Sequence, residues 1–336
     1  MILLSLFCLR RTRIIDEKGL PLYAFYVIPM INRKLIRIKT VQVTYSFCLN
    51  GVQRPEDGEN ILLSSLGTAY DLYNTLLTLM VEISRLALRS YEAQCTRARR
   101  LGIAEPSSKF VDNRFMLQLE GNRRLQENRK NQRLDWTNEE EFVRRIYNSI
   151  VDSDIYREYM DSGESSYEED RELWRKIYRH VIVDNEAIDN LLEDVNLYWN
   201  DDRFIIDTFV LKTINRFTAD CGDDYPLLPE FRGEDDLEFA RKLILQALRG
   251  ADYYNSLVAQ CVRGWDMERI PLMDRVIMQV ALAEITSFPS IPLSVSINEY
   301  IEIAKSYSTP NSARYINATL DNISKKLIAE HKLNKN

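Results

Sequence analysis

Two short runs carry residue types able to grip a phosphate chain. The first is Asn32-Arg33-Lys34-Leu35-Ile36-Arg37-Ile38-Lys39. At about 100° per residue on a helix, Arg33, Lys34 and Arg37 fall within an arc of about 100°, whereas Lys39 points elsewhere. Cations on one arc can track a phosphate backbone, and single-stranded RNA is held by such charge together with base stacking. The second is Asn311-Ser312-Ala313-Arg314-Tyr315-Ile316-Asn317, at the opening of the last helical pattern. There, exposed backbone N–H groups with Ser312 and Arg314 suit a phosphate, and Tyr315 offers a stacking face. The plain alternatives are a solvated positive face for the first run and an amphipathic core-edge aromatic for Tyr315.

Catalytic equipment is sparse by comparison. His180 and His331 are the two histidines, which nearly excludes a histidine-based zinc site or a Ser-His-Asp triad. The cysteines, Cys8, Cys48, Cys95, Cys221 and Cys261, are odd in number and lack CxxC spacing. That argues against a disulfide framework and for a reducing, cytoplasmic setting. No cofactor, no metal and no enzymatic activity are expected.

The elements that must position these runs are helical. The chain has 336 residues, 45% of them hydrophobic and 28% charged, enough for a sizeable core. Eleven glycines and ten prolines are few for a β-sandwich, a barrel or a glycine-rich nucleotide fold, which all need special turns. No apolar run reaches the roughly 20 residues of a membrane span. The net charge of −6 hides a partition. Residues 89–133 hold eleven Lys/Arg against five Asp/Glu, whereas residues 134–240 hold eleven against twenty-nine. A polyanion must therefore find local basic patches, and the acidic middle either attracts a basic partner or simply stays solvated.

Periodicity predicts a helix over 30–50, on Ile31, Leu35, Ile38, Tyr45 and Leu49, and a long one over 61–101. Residues 102–134, polar and rich in Asn and Arg, read as a loop or a poorly packed segment. Helical pattern resumes at Asn138, a cap before Glu139–Glu141, runs to Met160, breaks over 161–166 and continues from Tyr167 to Thr218. Residues 220–236 form a connector punctuated by Pro226, Pro229 and Gly233. Four helical segments follow. They run over 235–263, from Pro271 at a first-turn position, from near Ser294, and from a Ser312 cap onward. Short links between them favour a compact bundle. Residues 1–29 fit neither a secretory signal nor a helix of the domain, and Met30 is the expected initiator.

The C-terminal block resembles a known family. WDMERIPLMDRVIMQVALAEI, then IPLSVSINEYIEIAKSYS, then SARYINATLD look like the C-terminal half of NusB, a bacterial transcription antitermination factor. The matching details are Asp274-Arg275, Glu284, Pro292 ahead of Ile297-Asn298-Glu299, Ala304-Lys305-Ser306, Tyr315-Ile316-Asn317 and Leu320-Asp321. LEFARKLILQALRGADYYNSLV extends the likeness upstream, and NRKLIRIKTVQVTYSFCLN resembles the family's arginine-rich first helix, with Val41, Gln42 and Tyr45 in its continuation. Between the two pieces lie about 180 residues, where typical members have a few tens. The enlarged form is similar to NusB-like proteins of Bacteroidetes-type bacteria.

The resemblance implies an all-α, NusB-like helical bundle with a large helical insertion or enlarged N-terminal subdomain. The expected organisation is an extension over 1–29, the first family helix over 30–50, the insertion over 51–233 and the C-terminal bundle over 234–330. It further implies a non-enzymatic RNA-binding factor that joins NusE, a basic small-subunit ribosomal protein, on the boxA element of nascent ribosomal RNA within the elongation complex. On that basis Arg33, Lys34, Arg37, Ser312, Arg314, Tyr315 and Asn317 are the expected RNA-binding residues, with Asn311 and Tyr315 facing the partner protein. Members often carry an acidic residue at the position of Asn311 and Phe at that of Tyr315, so local contacts differ here. Glu284, Asn298 and Glu299 are expected to serve packing or capping. The same fold also serves as the non-catalytic domain of ribosomal RNA cytosine methyltransferases, but little chain follows the block here. The competing reading is a protein-interaction scaffold that uses the acidic middle and binds no RNA.

Overall fold

The computed structural model describes residues 14–15, 21–22, 30–51, 54–163, 166–231, 233–261, 269–333 and 335. Apart from the two-residue pairing of β1 (Ile14–Ile15) with β2 (Pro21–Leu22), the expected extension over 1–29 lies outside the described residues. The fold is all-α.

The opening helix α1 (Arg33–Asn50) starts where the Asn32 side chain accepts from the Leu35 N–H at 3.0 Å, which satisfies one of the helix's orphan donors. The chain enters it along the connector. The N–H groups of Met30 and Ile31 donate to the carbonyls of Pro229 and Glu230 at 2.9 and 2.8 Å. Burial then extends nearly all round, over Leu35, Ile36, Ile38, Val41, Val43 and Phe47, while Leu49 of the expected seam stays exposed. A helix apolar on all sides is a central one. Here α1 is enclosed by α2 (Pro55–Leu101), α10 (Glu234–Arg249) and α12 (Leu272–Ser287).

Helix α2 spans 47 residues, about 70 Å at the usual rise. Pro55 opens it, Glu56 and Asp57 face the positive end of its dipole, and Arg99 and Arg100 face the negative end. Gly102 closes it in the left-handed region (φ 63°), its N–H returning to the carbonyls of Ala98 and Arg99. A Cβ on Gly58 would lie 2.4 Å from Leu248 and 3.2 Å from Phe47. Lack of a side chain there lets α1 and α10 close on the start of α2.

The stretch 102–134 is not a loop. It forms α3 (Arg114–Gly121) and α4 (Arg123–Arg129), which bury Phe115, Met116, Leu119 and Leu125. Each has only two turns, too short to show a period. The asparagines that read as loop residues are caps: Asn113 accepts from Met116 and Asn122 from Leu125, at 3.0 and 3.1 Å. Downstream, the cap is Asp135, not Asn138; it heads a 3₁₀ turn over Trp136–Glu139 that leads into α5 (Glu140–Val151). The expected helix to Met160 breaks at Asp152-Ser153, where Ser153 caps α6 (Asp154–Asp161). Then follow α7 (Tyr167–Ile177), a π turn over Tyr178–Ile182, α8 (Glu186–Val195) and α9 (Tyr198–Arg216).

The C-terminal block adds α11 (Ala251–Cys261), α13 (Leu293–Tyr307) and α14 (Ser312–Ala329) to α10 and α12. The pattern expected as one helix over 235–263 is two, divided at Gly250. Pro271 sits one position earlier than expected, as the residue preceding α12.

Residues 51–233 are not set apart from the rest. Helix α2 packs on α1 and α10 and also on α5 and α9, and one hydrophobic cluster runs through residues on both sides of the connector. Trp199 of α9 donates its indole N–H to the Thr68 carbonyl at 3.0 Å, and the hydroxyls of Tyr73 and Thr213 meet at 2.7 Å. Lys39 of α1 and Asp202 of α9 form an ion pair at 2.6 Å, both side chains 1% exposed. This explains why Lys39 diverges from the other cations of α1: it faces α9.

Burial pushes the Asp202 carboxyl up to about 6, with Lys39 opposing the shift. The native state thus holds this proton more tightly than the unfolded chain. The resulting stability is present below the ordinary carboxyl pKa and lost as pH rises through 6. Measured against Asp202→Asn by urea titration, wild-type stability should rise by about 2 kcal/mol from pH 7.5 to 4.5. A difference that is flat, or that falls on acidification, would show Asp202 to be unshifted.

Candidate nucleic-acid interface

The geometry of the first patch starts from a carboxylate. Glu284, fully buried near the end of α12, accepts Arg37 Nε at 2.7 Å and Nη2 at 2.9 Å. Ser296 and Tyr300 of α13 donate to the same carboxylate at 2.8 and 3.0 Å. Four donors, two of them charged, offset the desolvation of the anion. Arg37 is 4% exposed and reaches Glu299 at 3.4 Å as well. Burial and the neighbouring Glu284 carboxylate push the Tyr300 hydroxyl far above its ordinary pKa.

Arg37 is therefore withdrawn from the expected RNA-binding set. The helical arc placed it beside Arg33 and Lys34 correctly, but that arc turns from solvent into the α12–α13 seam within one turn. Arg33 remains half-exposed, 3.6 Å from Asp236 and stacked over the Phe239 ring at 5.0 Å. Lys34 is exposed. Lys305, by hydrogen bond and charge, holds the Glu302 carboxyl below its usual range, and Lys34 contributes a smaller share.

A residue missed from sequence joins this end. Lys242 of α10 is exposed and stands over the Phe288 ring at 4.9 Å, while Phe288 packs against Phe239 at 4.9 Å between centroids. Arg33 and Lys242 thus rim a buried aromatic pair, and Lys34, exposed next to Arg33 in the chain, adds a cation toward Glu302 of α13. Sequence spacing carries no sign of it, because Phe239 and Phe288 meet only through the tertiary packing of α10 on α12 and its outgoing turn.

The second patch is also anchored by a buried carboxylate. Asp274, in the first turn of α12, accepts Ser312 Oγ at 2.8 Å and Ser308 Oγ. Ser312 is further linked to Ser308 at 3.1 Å and to Thr309 at 2.7 Å. Ser312 is thus committed to fastening the α13–α14 turn. It does not act as the expected cap, since Asn311 holds that position, without a side-chain cap bond. Asn311, Arg314 and Asn317 are exposed, whereas Tyr315 is half-buried against the core, and burial raises its hydroxyl pKa.

The structure brings α1 against the C-terminal helices but keeps the two patches apart. Their anchors, Glu284 and Asp274, sit ten residues apart on α12, or about 15 Å of helix. A strand touching both patches has to bridge that length. Among the described residues, no cluster of His, Cys, Asp and Glu has metal-binding geometry, and no helix is long and apolar enough to cross a membrane.

Removing the Arg37 side chain leaves Glu284 buried without its counter-charge. Arg37→Ala should lower the unfolding free energy by about 3–5 kcal/mol in urea melts followed by circular dichroism. Arg33→Ala should cost under about 1 kcal/mol. Equal small losses from the two variants would mean that Arg37 is not the anchor described.

Comparison with known proteins places the same block in context. A family model described as the NusB family matches residues 207–325. The transcription antitermination protein NusB of Symbiobacterium thermophilum is 37% identical over 95 residues, covering 28% of this chain and 62% of that protein. Its counterpart in Gloeobacter violaceus is 37% identical over 109 residues, 31% of this chain and 52% of that protein. For Bacillus thuringiensis the figures are 37% over 91 residues, 27% of this chain and 70% of that protein. The chain thus spans between about half and two-thirds of the length of these relatives. With identity at this level over most of the Bacillus protein, and with Asp274 and Glu284 of the shared block anchoring its helices, the chain belongs to the NusB family.

Proposed function

We propose that this protein is an RNA-binding transcription antitermination factor. In this reading it binds the boxA element of nascent ribosomal RNA together with NusE, the basic small-subunit ribosomal protein, in the elongation complex. Its activity is binding, not catalysis.

The observation that carries the reading is the pair of cations Arg33 and Lys242 over an aromatic pair, with Lys34 exposed beside Arg33 in the chain, left at the surface where Arg37 is drawn inward. Phosphates provide the sequence-independent part of affinity, and a rim of separate cations suits a single strand better than one buried ion would. Arg314 and Asn317 at the start of α14 supply a second contact, with Asn311 and the exposed edge of Tyr315 turned toward the partner protein. The acidic balance of 134–240 favours a phosphate contact elsewhere on the chain.

The test uses the full chain and boxA RNA, with and without NusE, over a salt series. On single strands each phosphate contact contributes about −0.7 to the slope of log affinity against log salt. Arg33→Ala/Lys34→Ala should flatten that slope by about 1.4 and weaken binding, with unchanged circular dichroism. An unchanged affinity and slope would remove the rim from the RNA site. Absence of any shift with wild-type protein, even with NusE present, would refute the reading as a whole.

A further inference from the structure

Where the insertion meets the C-terminal block, a groove runs along the N-terminal half of α9. It has a volume of about 420 Å³ and is lined by Asn200, Asp201 and Phe204 of α9 with Ser306 and Tyr307 at the end of α13. A second depression of about 330 Å³ adjoins it, sharing Asn200 and Phe204 and adding Asp184, Asp189, Arg203 and Asp207. Phe204 forms the ridge between them, 50% exposed, with its ring edge-on to Tyr307 at 6.2 Å between centroids. Leu197 and Tyr198, 67% and 65% exposed, continue the apolar surface at the start of α9. Leu197, Asp201 and Phe204 follow a spacing of four and three, so they share one helix face.

The charge of this surface is one-sided. Asp184, Asp189, Asp201 and Asp207 line it against a single cation, Arg203. That cation is already held by Asp189 at 2.9 Å, Asp207 at 3.4 Å and the Ile182 carbonyl at 3.0 Å. Asp201 is exposed and has no ion pair among the described residues. In the groove wall, the Tyr307 hydroxyl and the Asn200 amide oxygen lack hydrogen-bond partners, as buried polar atoms seldom do. A polyanion would meet carboxylates here. A cationic polypeptide would meet complementary charge, an unmatched acceptor and an aromatic ridge to cover, the mixture typical of protein interfaces.

We propose that this groove docks a cationic segment of a partner protein, with Lys or Arg side chains facing Asp201 and Asp184 and an apolar side chain covering Phe204. The site shares no residue with the RNA rim and does not depend on it. It gives the insertion a binding role that the family block alone does not supply, since Asn200, Asp201 and Phe204 all precede residue 207, where the family match begins.

The probe is a fluorescein-labelled twelve-residue peptide alternating Arg with Leu and Phe, read by fluorescence anisotropy with the full chain at moderate salt. Its Glu-for-Arg counterpart and a labelled single-stranded RNA are measured alongside. Wild type should bind the Arg peptide and not the Glu peptide. Phe204→Ala and Asp201→Lys should each weaken binding about tenfold, in keeping with an interface anchor and its facing charge. Asp154→Lys, the same charge reversal on exposed α6, should change it less than about twofold. Three results would overturn the proposal: no binding of the Arg peptide by wild type, an Asp154→Lys effect as large as that of Asp201→Lys, or RNA binding that is lost with Phe204→Ala. Phe204 and Asp201 are both exposed, so unchanged thermal midpoints are expected, and a shifted midpoint directs the comparison to Phe204→Tyr, which should retain binding. The peptide arms contain no RNA, so their failure leaves the rim of Arg33 and Lys34 to be judged by its own titration.

Discussion

The meeting of Arg37 with Glu284 orders the C-terminal half of this molecule. One residue comes from the opening helix and the other from a position 247 residues later, and the pair is buried between α12 and α13. An isolated charge there would be costly, so each side chain is tolerable only with the other in place. The guanidinium fork fits one orientation of the carboxylate, and Ser296 and Tyr300 complete it from α13. Three helices are thereby held in a single register. That register leaves Arg33 and Lys34 one turn further out, at the surface.

Asp274 does comparable work at the other end of α12, with hydroxyls in place of a guanidinium. Ser308 and Ser312 close the turn between α13 and α14 around it and set Arg314 and Asn317 outward. Both anchors are acidic and both candidate surfaces are basic or neutral, so the buried anions lie directly behind the groups that would meet RNA. Along α9 the signs reverse: it presents carboxylates around an aromatic ridge. Gathering the two signs on different elements is what allows a chain with net charge −6 to offer surfaces for both a polyanion and a polycation.

How much of this was legible in the residues depends on the length of the pattern. Helices α1, α13 and α14 could be read to within a few residues, because each repeats its apolar period over several turns; α2 was read correctly at its end but begins at Pro55, six residues before the expected start at Ile61. Helices α3 and α4 could not, since two turns give no period and Asn113 and Asn122 look the same in a cap as in a loop. The family block was legible from its order of residues, and with it the packing role of Glu284. Arg37 illustrates the limit at the site. A helical wheel shows which residues share a face, but whether that face looks at water or at a buried carboxylate is a tertiary fact. Lys242 was invisible for the related reason that its aromatic platform is assembled from two distant segments, and Ser312 was read as a cap because the carboxylate it serves lies 38 residues upstream.

Helix α2 has a consequence for how such a chain can be shortened. Its middle is buried on several sides, against α1 and α10 and against α5 and α9, so it is structural steel for both the family block and the added helices. Excising 51–233 would strip that beam away together with the whole of α9, whose second half lies inside the family match, leaving bare oily flanks on α1 and α10. The extra length is therefore not an appendage that trimming could remove cleanly; a compact version would need new side chains on every face that α2 now covers.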